Sequence, residues 1–380
     1  MAAISEEHRF PCGQCGAELR FAPGQTVLKC PYCGFVQQIA ATAGTSHATT
    51  FAEHDLARGL ASDLPDTASD EVRSTHCPNC GAVVEFQGAS HATECPFCGT
   101  PLVVDTGSRR RIKPQALIPF QLDEPAARKA LISWLGSLWF APNRLLEFTR
   151  AGRAMSGIYV PYWTFDADTQ SRYSGAKGVH YYETRTVTVN VNGRSERRQE
   201  QVQKTRWYPA SGTVARRFDD VLVIASSSLP TRLGDGLEPW DMAALQAYSP
   251  DYLAGFQAEG YTVALADGQK VGHGKMDVVI YQDVCRDIGG DVQRVDTVDT
   301  DYSRETFKHV LLPVWMAAYK YSGKSYRFLV NGLTGEVQGE RPWSVWKITF
   351  AVLAALIVAA GAAYLYDPAM FGQQRPGWMN

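Results

Sequence analysis

Three observations predict a multidomain chain: two small four-cysteine zinc ribbons, an α+β body and one C-terminal transmembrane helix. Paired cysteines recur in duplicate near the N-terminus, the middle mixes helix and strand periodicities, and a charge-free apolar run closes the sequence. The expected domains are ribbon 1 at 8–36, a flexible linker at 37–74, ribbon 2 at 75–105, and the body at 106–342 with a β-hairpin at 181–207. A transmembrane anchor at 343–367 and a short tail at 368–380 complete the chain.

The ribbons come first. Cys12-x2-Cys15 is followed by Cys30-x2-Cys33, and Cys77-x2-Cys80 by Cys95-x2-Cys98, so each cysteine of the second set lies 65 positions after its counterpart. Gly16-Ala17 and Phe21 repeat as Gly81-Ala82 and Phe86, and Cys30-Pro31-Tyr32-Cys33-Gly34 repeats as Cys95-Pro96-Phe97-Cys98-Gly99. A Cys-x2-Cys step turns the backbone so that two thiolates reach one ion, and the following Gly relieves crowding. Two such steps supply the four soft sulfurs of a tetrahedral zinc site, giving two zinc ions per chain. Each block is too short to bury a self-sufficient core, so metal must contribute much of its folding free energy. Disulfides compete poorly, because paired Cys-x2-Cys steps suit separate bridges badly and no signal peptide directs the chain to an oxidising compartment. Iron in a rubredoxin-like centre is the other competitor. His76 and His91 lie close by, but both sets of four are already complete. Phe21, Tyr32, Phe86 and Phe97 are expected around the metals or on a contact surface.

Residues 36–74, rich in Ala, Ser, Thr and Asp, read as linker. Arg109-Arg110-Arg111 with Lys113 forms a basic knot, read as solvated linker charge or as a contact for anionic headgroups. In the body, helices are expected near 123–139 and 238–258. Tyr181 to Val191 alternates, and Asn192-Gly193 is a type I′ hairpin signal that sets Arg185 opposite Glu200. The return strand, Arg194 to Trp207, is nearly all polar, so this ribbon should project into water. Val160-Pro161-Tyr162-Trp163 and Leu312-Pro313-Val314-Trp315 hint at an internal duplication.

From Ile348 to Tyr366 run nineteen uncharged residues. As a helix they would cover about 28 Å, close to the ~30 Å hydrocarbon core. Lys324, Arg327, Arg341 and Lys347 precede this run and only Arg375 follows it. The expectation is therefore a single-pass anchor contacting lipid through 348–366, with residues 1–347 cytoplasmic.

The segments 311–315 (LLPVW) and 331–342 (NGLTGEVQGERP), downstream of the cysteine pairs and just before the apolar run, resemble a family of bacterial membrane-anchored, TFIIB-type double zinc-ribbon proteins. These are often labelled primosomal protein N′-like. The chain is also similar to zinc-ribbon recruiters of SPFH- and phage-shock-type membrane scaffolds. That resemblance implies a scaffold-type protein partner, but carries over no functional residue beyond the eight cysteines.

An enzyme is not expected. The nearest approach to a P-loop, Ala318 to Ser325, lacks the first glycine and leads into a strand where a helix should begin. No HExxH or GxSxG occurs. Asp296, Asp299 and Asp301 read as a solvated strand, and Cys285 as a core residue. Nucleic acid is disfavoured as a partner: residues 1–105 carry five Lys/Arg against twelve Asp/Glu, the wrong sign for replacing phosphate counterions. The expected function is a non-enzymatic membrane-anchored adaptor recruiting a cytosolic or scaffold protein. The alternatives are a nucleic-acid-binding component of a membrane-associated replication or transcription complex, through the Arg-rich hairpin, and rubredoxin-like electron transfer.

Overall fold

The computed structural model describes residues 10–39, 53–65, 69–78, 81–85, 92–95, 100–103, 108–138, 155–191, 194–321, 324–340 and 345–366. Its body is mostly β, not α+β. Three long strands dominate: a first, Ser156–Val191; a second, Arg194–Ile224; and a third, Val292–Tyr321. The first is central and antiparallel to both others. The third turns back into Lys324–Asn331, which pairs with Val337–Gly339. Ala116–Leu117 adds a parallel rung on the third strand.

Composition explains why the inner halves of these strands are so continuous. Ile158 to Ala167 is apolar, aromatic or β-branched except for Asp166, and every residue of it is buried. A strand buried on both faces reads as a continuous run rather than an alternation. Alternate residues then feed opposite faces. Tyr159, Leu311, Trp315, Phe328 and Val330 join one apolar cluster. Ile158, Val160, Tyr162, Val310, Leu312 and Val314 join the other.

The expected hairpin forms in the expected register, with Arg185 opposite Glu200 and Val191 opposite Arg194. Asn192 and Gly193 themselves lie outside the described residues. The two Pro-x-Trp motifs turn out to be strand neighbours, Tyr159 pairing with Pro313 and Pro161 with Leu311. The first expected helix is present as Glu124–Ser137, with Asp123 capping the Ala126 N–H at 2.9 Å. The second is not. Residues 238–258 form 3-10 turns at Met242–Ala244 and Pro250–Leu253 instead, broken by Pro239, Pro250 and Gly255.

The major helix is Leu265–Ile288, which buries Leu265, Gly268, Gly272, Met276, Ile280, Val284 and Ile288 along one stripe. Gly268 and Gly272 are required there, because a Cβ at either would come within 2.7 Å of Trp163 or 2.9 Å of Phe165. Small residues at the contact hide the stripe from a hydrophobic pattern search.

The linker expectation also changes. His54–Asp55 pairs with Thr306–Phe307, and Leu56–Leu60 is helical, with Leu56 buried. Ser69–His76 forms a strand beside Ser108–Ile112, in a register that sets Asp70 opposite Arg111 and Glu71 opposite Arg110. The basic knot therefore sits in a strand next to acidic positions.

The anchor expectation is overturned. Val345–Tyr366 is helical, but among the described residues no helix is long and apolar enough to cross a membrane. Eight of the residues 348–362 are Ala, Gly or Thr. Such small residues contribute little apolar surface to a bilayer. The transmembrane helix at 343–367, the lipid contact through 348–366 and the single-pass localisation with 1–347 cytoplasmic are corrected accordingly. The 368–380 tail lies outside the described residues.

Candidate metal centre

Strands Arg20–Phe21, Val27–Lys29 and Val36–Gln38 form a small antiparallel sheet that carries two knuckles. In the first, the Cys12 N–H donates to Ala17 O at 2.6 Å and the Gly16 N–H to Cys12 O at 2.9 Å. In the second, the Cys30 N–H donates to Phe35 O at 2.8 Å and the Gly34 N–H to Cys30 O at 3.1 Å. Gly16 and Gly34 have φ of 74° and 76°, a region open to glycine at little cost.

These turns bring Cys12, Cys15, Cys30 and Cys33 together, with all four sulfurs within 4.8 Å of one another. Cys12 Sγ lies 3.5 Å from Cys33 Sγ, and Cys15 Sγ 3.5 Å from Cys30 Sγ. A disulfide needs about 2.0 Å, so these thiols are free. A tetrahedral ion with ~2.3 Å metal–sulfur bonds sets its sulfurs about 3.8 Å apart. The cluster is thus close to the size a metal ion requires.

Electrostatics point the same way. The Cys33 amide pulls the Cys30 thiol down to about 6, burial opposes it, and the Tyr32 amide adds to the fall. For Cys33, the Phe35 amide favours the thiolate, yet burial and the neighbouring thiols of Cys15, Cys12 and Cys30 push it up to about 12. Four crowded thiols cannot all ionise without a cation among them. One divalent ion removes that conflict.

The ribbon is seated on the body. The Phe21 N–H donates to Ala254 O at 2.9 Å and the Gly24 N–H to Phe120 O at 2.9 Å. The Phe21 ring meets Tyr252 edge-on at 5.3 Å, and Leu19, Phe21, Leu28, Cys12 and Cys30 belong to the same apolar cluster as Phe120 and Trp315. A cleft of about 410 Å³, lined in part by Arg20, Phe21, Glu124, Phe256 and Trp315, opens at this joint. Tyr32, expected near the metal or on a contact surface, is 81% exposed.

Of the second set, Cys77 and Cys95 are described and buried. Cys80 and Cys98, with Phe86 and Phe97, lie outside the described residues, so two zinc ions per chain exceed what the geometry displays. The backbone around the described pair repeats the first knuckles. The Cys77 N–H donates to Ala82 O at 2.8 Å, the Gly81 N–H to Cys77 O at 2.9 Å, and the Cys95 N–H to Thr100 O at 2.7 Å. Gly81 has φ 76°. Cys77, Ala82 and Cys95 join the cluster on the opposite sheet face.

A second group of metal-type donors escaped the sequence reading. Oxygens of Glu53, Asp166 and Asp219 lie within 4.8 Å of one another, but a lysine already sits at this centre. Lys308, its side chain only 6% exposed, places Nζ 2.7 Å from Asp220 Oδ1, 3.0 Å from Glu53 Oε1 and 3.5 Å from Asp166 Oδ2. Burial alone would lower the lysine's pKa, but the carboxylates of Asp220, Asp166 and Glu53 raise it. Burial holds Asp166 up at about 6. Both strand partners of the first strand shift register around Asp166, and such bulges re-aim side chains. The arrangement is an ion network that fastens the inter-ribbon segment to the third strand. Its members are scattered through the sequence, and only the bulge geometry unites them. The other flagged residues are unremarkable: Cys285 is half-buried on the major helix, while Asp296 and Asp301 face Arg294 and Arg172 along exposed strands.

No family model matches the chain, and no solved structure does. A Bacillus subtilis (strain 168) protein, the uncharacterized protein YdjG, is 25% identical over 343 residues, spanning 89% of this chain and 91% of its own length.

Proposed function

We propose that the protein is a non-enzymatic zinc-ribbon adaptor, in which metal fixes each ribbon to one face of the β body and the ribbon tips dock a protein partner. The observation that carries this reading is the convergence of Cys12, Cys15, Cys30 and Cys33 on a ribbon that is itself rooted in the body core. Zinc is the ion this donor set favours: four soft thiolates in a closed site have a structural rather than catalytic character. The repeated knuckle hydrogen bonds support a second zinc at Cys77, Cys80, Cys95 and Cys98.

Tyr32, at 81% exposure, and Val36, at 48%, give ribbon 1 an exposed apolar tip. Aromatic residues are enriched where protein partners dock. The acidic balance of residues 1–105 favours a protein over a phosphate backbone. A scaffold protein of SPFH or phage-shock type is the partner class suggested by the sequence resemblance.

A photo-crosslinker at position 32 of the full-length chain tests the reading. One dominant protein adduct, lost in Cys30→Ser, is the expected result. Nucleic acid as the main adduct would overturn it, and so would an iron-type visible spectrum of the purified protein.

A further inference from the structure

The third strand starts at Val292, opposite Gly178. Beyond that point, among the described residues, the first and second strands continue alone to the pair Val191 and Arg194. This two-stranded arm comprises thirteen residues of the first strand, 179–191, and reaches ~43 Å at ~3.3 Å per residue. An isolated two-stranded ribbon is marginal in water, and a third strand or further packing is needed for stability. Its described side chains are largely exposed, Tyr182 at 66% among them.

Backbone direction on the open side can be read from the junction. The Asp291 N–H donates to Gly178 O at 2.9 Å, and the His180 N–H donates to Asp291 Oδ2 at 2.6 Å. Even-numbered residues therefore present their N–H and C=O outward, and the Asp291 carboxylate ends the three-stranded region. From Tyr182 onward, Tyr182, Thr184 and Thr186 offer a regular row of donors and acceptors to a further strand. Natural edges are usually blunted with proline, a bulge or a row of lysines. Residues 179–191 contain no Pro and no Lys, and the register shifts of the first strand all fall before Gly178.

We propose that this edge joins two copies of the chain, their arms pairing antiparallel about a two-fold axis through Thr184. Charge selects the register. With Thr184 on the axis, Glu183 of each copy lies opposite Arg185 of the other. One register step in either direction would set Arg185 against Arg185 or Glu183 against Glu183, and like charges directly opposite are destabilising. An odd shift would break the hydrogen-bond phase and bring the Thr face against the Val face. In the selected register Tyr182 pairs with Thr186 of the second copy, and Thr184 with Thr184, each pair exchanging both backbone bonds. Tyr181 and Val187 meet on the other face, where cross-strand pairs sit closer. The product is a four-stranded ribbon in place of two marginal ones.

A residue on a two-fold axis opposes itself, which makes the test specific. Thr184 is exposed and its N–H points away from the second strand, so Thr184→Lys and Thr184→Glu leave the internal ladder intact. Sedimentation of the full-length protein should give a dimer, twice 41.9 kDa. Each variant alone should weaken that dimer several-fold, and an equimolar mixture of the two should restore it. A monomeric wild type would overturn the proposal. A dimer indifferent to both substitutions would also overturn it, as would a mixture that does not recover, since either places the interface elsewhere.

Discussion

The two ribbons share one motif and use it on opposite faces of the same sheet. Ribbon 1 sends Leu19, Phe21 and Leu28 into the cluster that holds Phe120 and Trp315. The second block sends Cys77, Ala82 and Cys95 into the cluster on the other face, while Val83 is buried and its O accepts from the Gly260 N–H at 3.2 Å. The 65-residue offset places Val84 where ribbon 1 has Leu19, and Thr93 where it has Leu28. Duplication preserved the knuckles while the apolar footing diverged. Cysteine spacing and the backbone bonds at Cys77 and Cys95 are thus the constant between the two, and packing against the sheet is the variable.

The largest test of that comparison removes the constant. Structural zinc contributes about 10–16 kcal/mol to the folding of isolated zinc-finger peptides, so Cys30→Ser should unfold ribbon 1 locally. Hydrogen exchange should then accelerate across 10–39 while the Leu265–Ile288 helix stays protected. Retained protection in 10–39 would mean that packing alone holds the ribbon.

Next in size is the fastening between the ribbons. Lys308→Met leaves Glu53, Asp166 and Asp220 facing one another without a cation, and breaking one side of a buried ion network costs about 3–5 kcal/mol. Denaturant unfolding should show that loss, with proteolysis near 53–60 rising in step. The packing difference itself is read by Phe21→Ala, expected to cost about 3–5 kcal/mol, against Val83→Ala at about 2 kcal/mol. Equal losses would erase the contrast in footing.

These partners show how far the sequence could be read. The spacing of the first four cysteines and the Arg185–Glu200 register were legible because each is local: a few neighbouring residues dictate the backbone. The major helix was not, because Gly268 and Gly272 look like breakers until Trp163 and Phe165 are seen against them. The Lys308 network was invisible for a related reason, since Glu53, Asp166, Asp220 and Lys308 meet only through strand pairing and bulges. The apolar run at 348–366 announced a helix correctly. Among the described residues it did not give a helix long and apolar enough to cross a membrane, and helix formation does not require one, since alanine is the strongest helix former.

The smallest expected effect is on pH dependence. Asp166 is held at about 6, above the ordinary carboxylate near 3.9. The folded state therefore keeps a proton that the unfolded chain has lost between those values. Its stabilising contribution is complete below pH ~4 and is lost as pH rises through ~6. Glu53, lowered by Thr306 and Lys308 against its burial, works in the opposite sense. Asp166→Asn should flatten the Asp166 component in a melting series from pH ~4 to ~7. An unchanged profile would place that titration elsewhere.

Metal analysis of the full-length protein tests the central claim most directly. The account predicts about two zinc ions per chain, falling to about one in Cys30→Ser and, separately, to about one in Cys95→Ser. Iron in place of zinc would contradict it, and so would a wild-type content that neither substitution lowers.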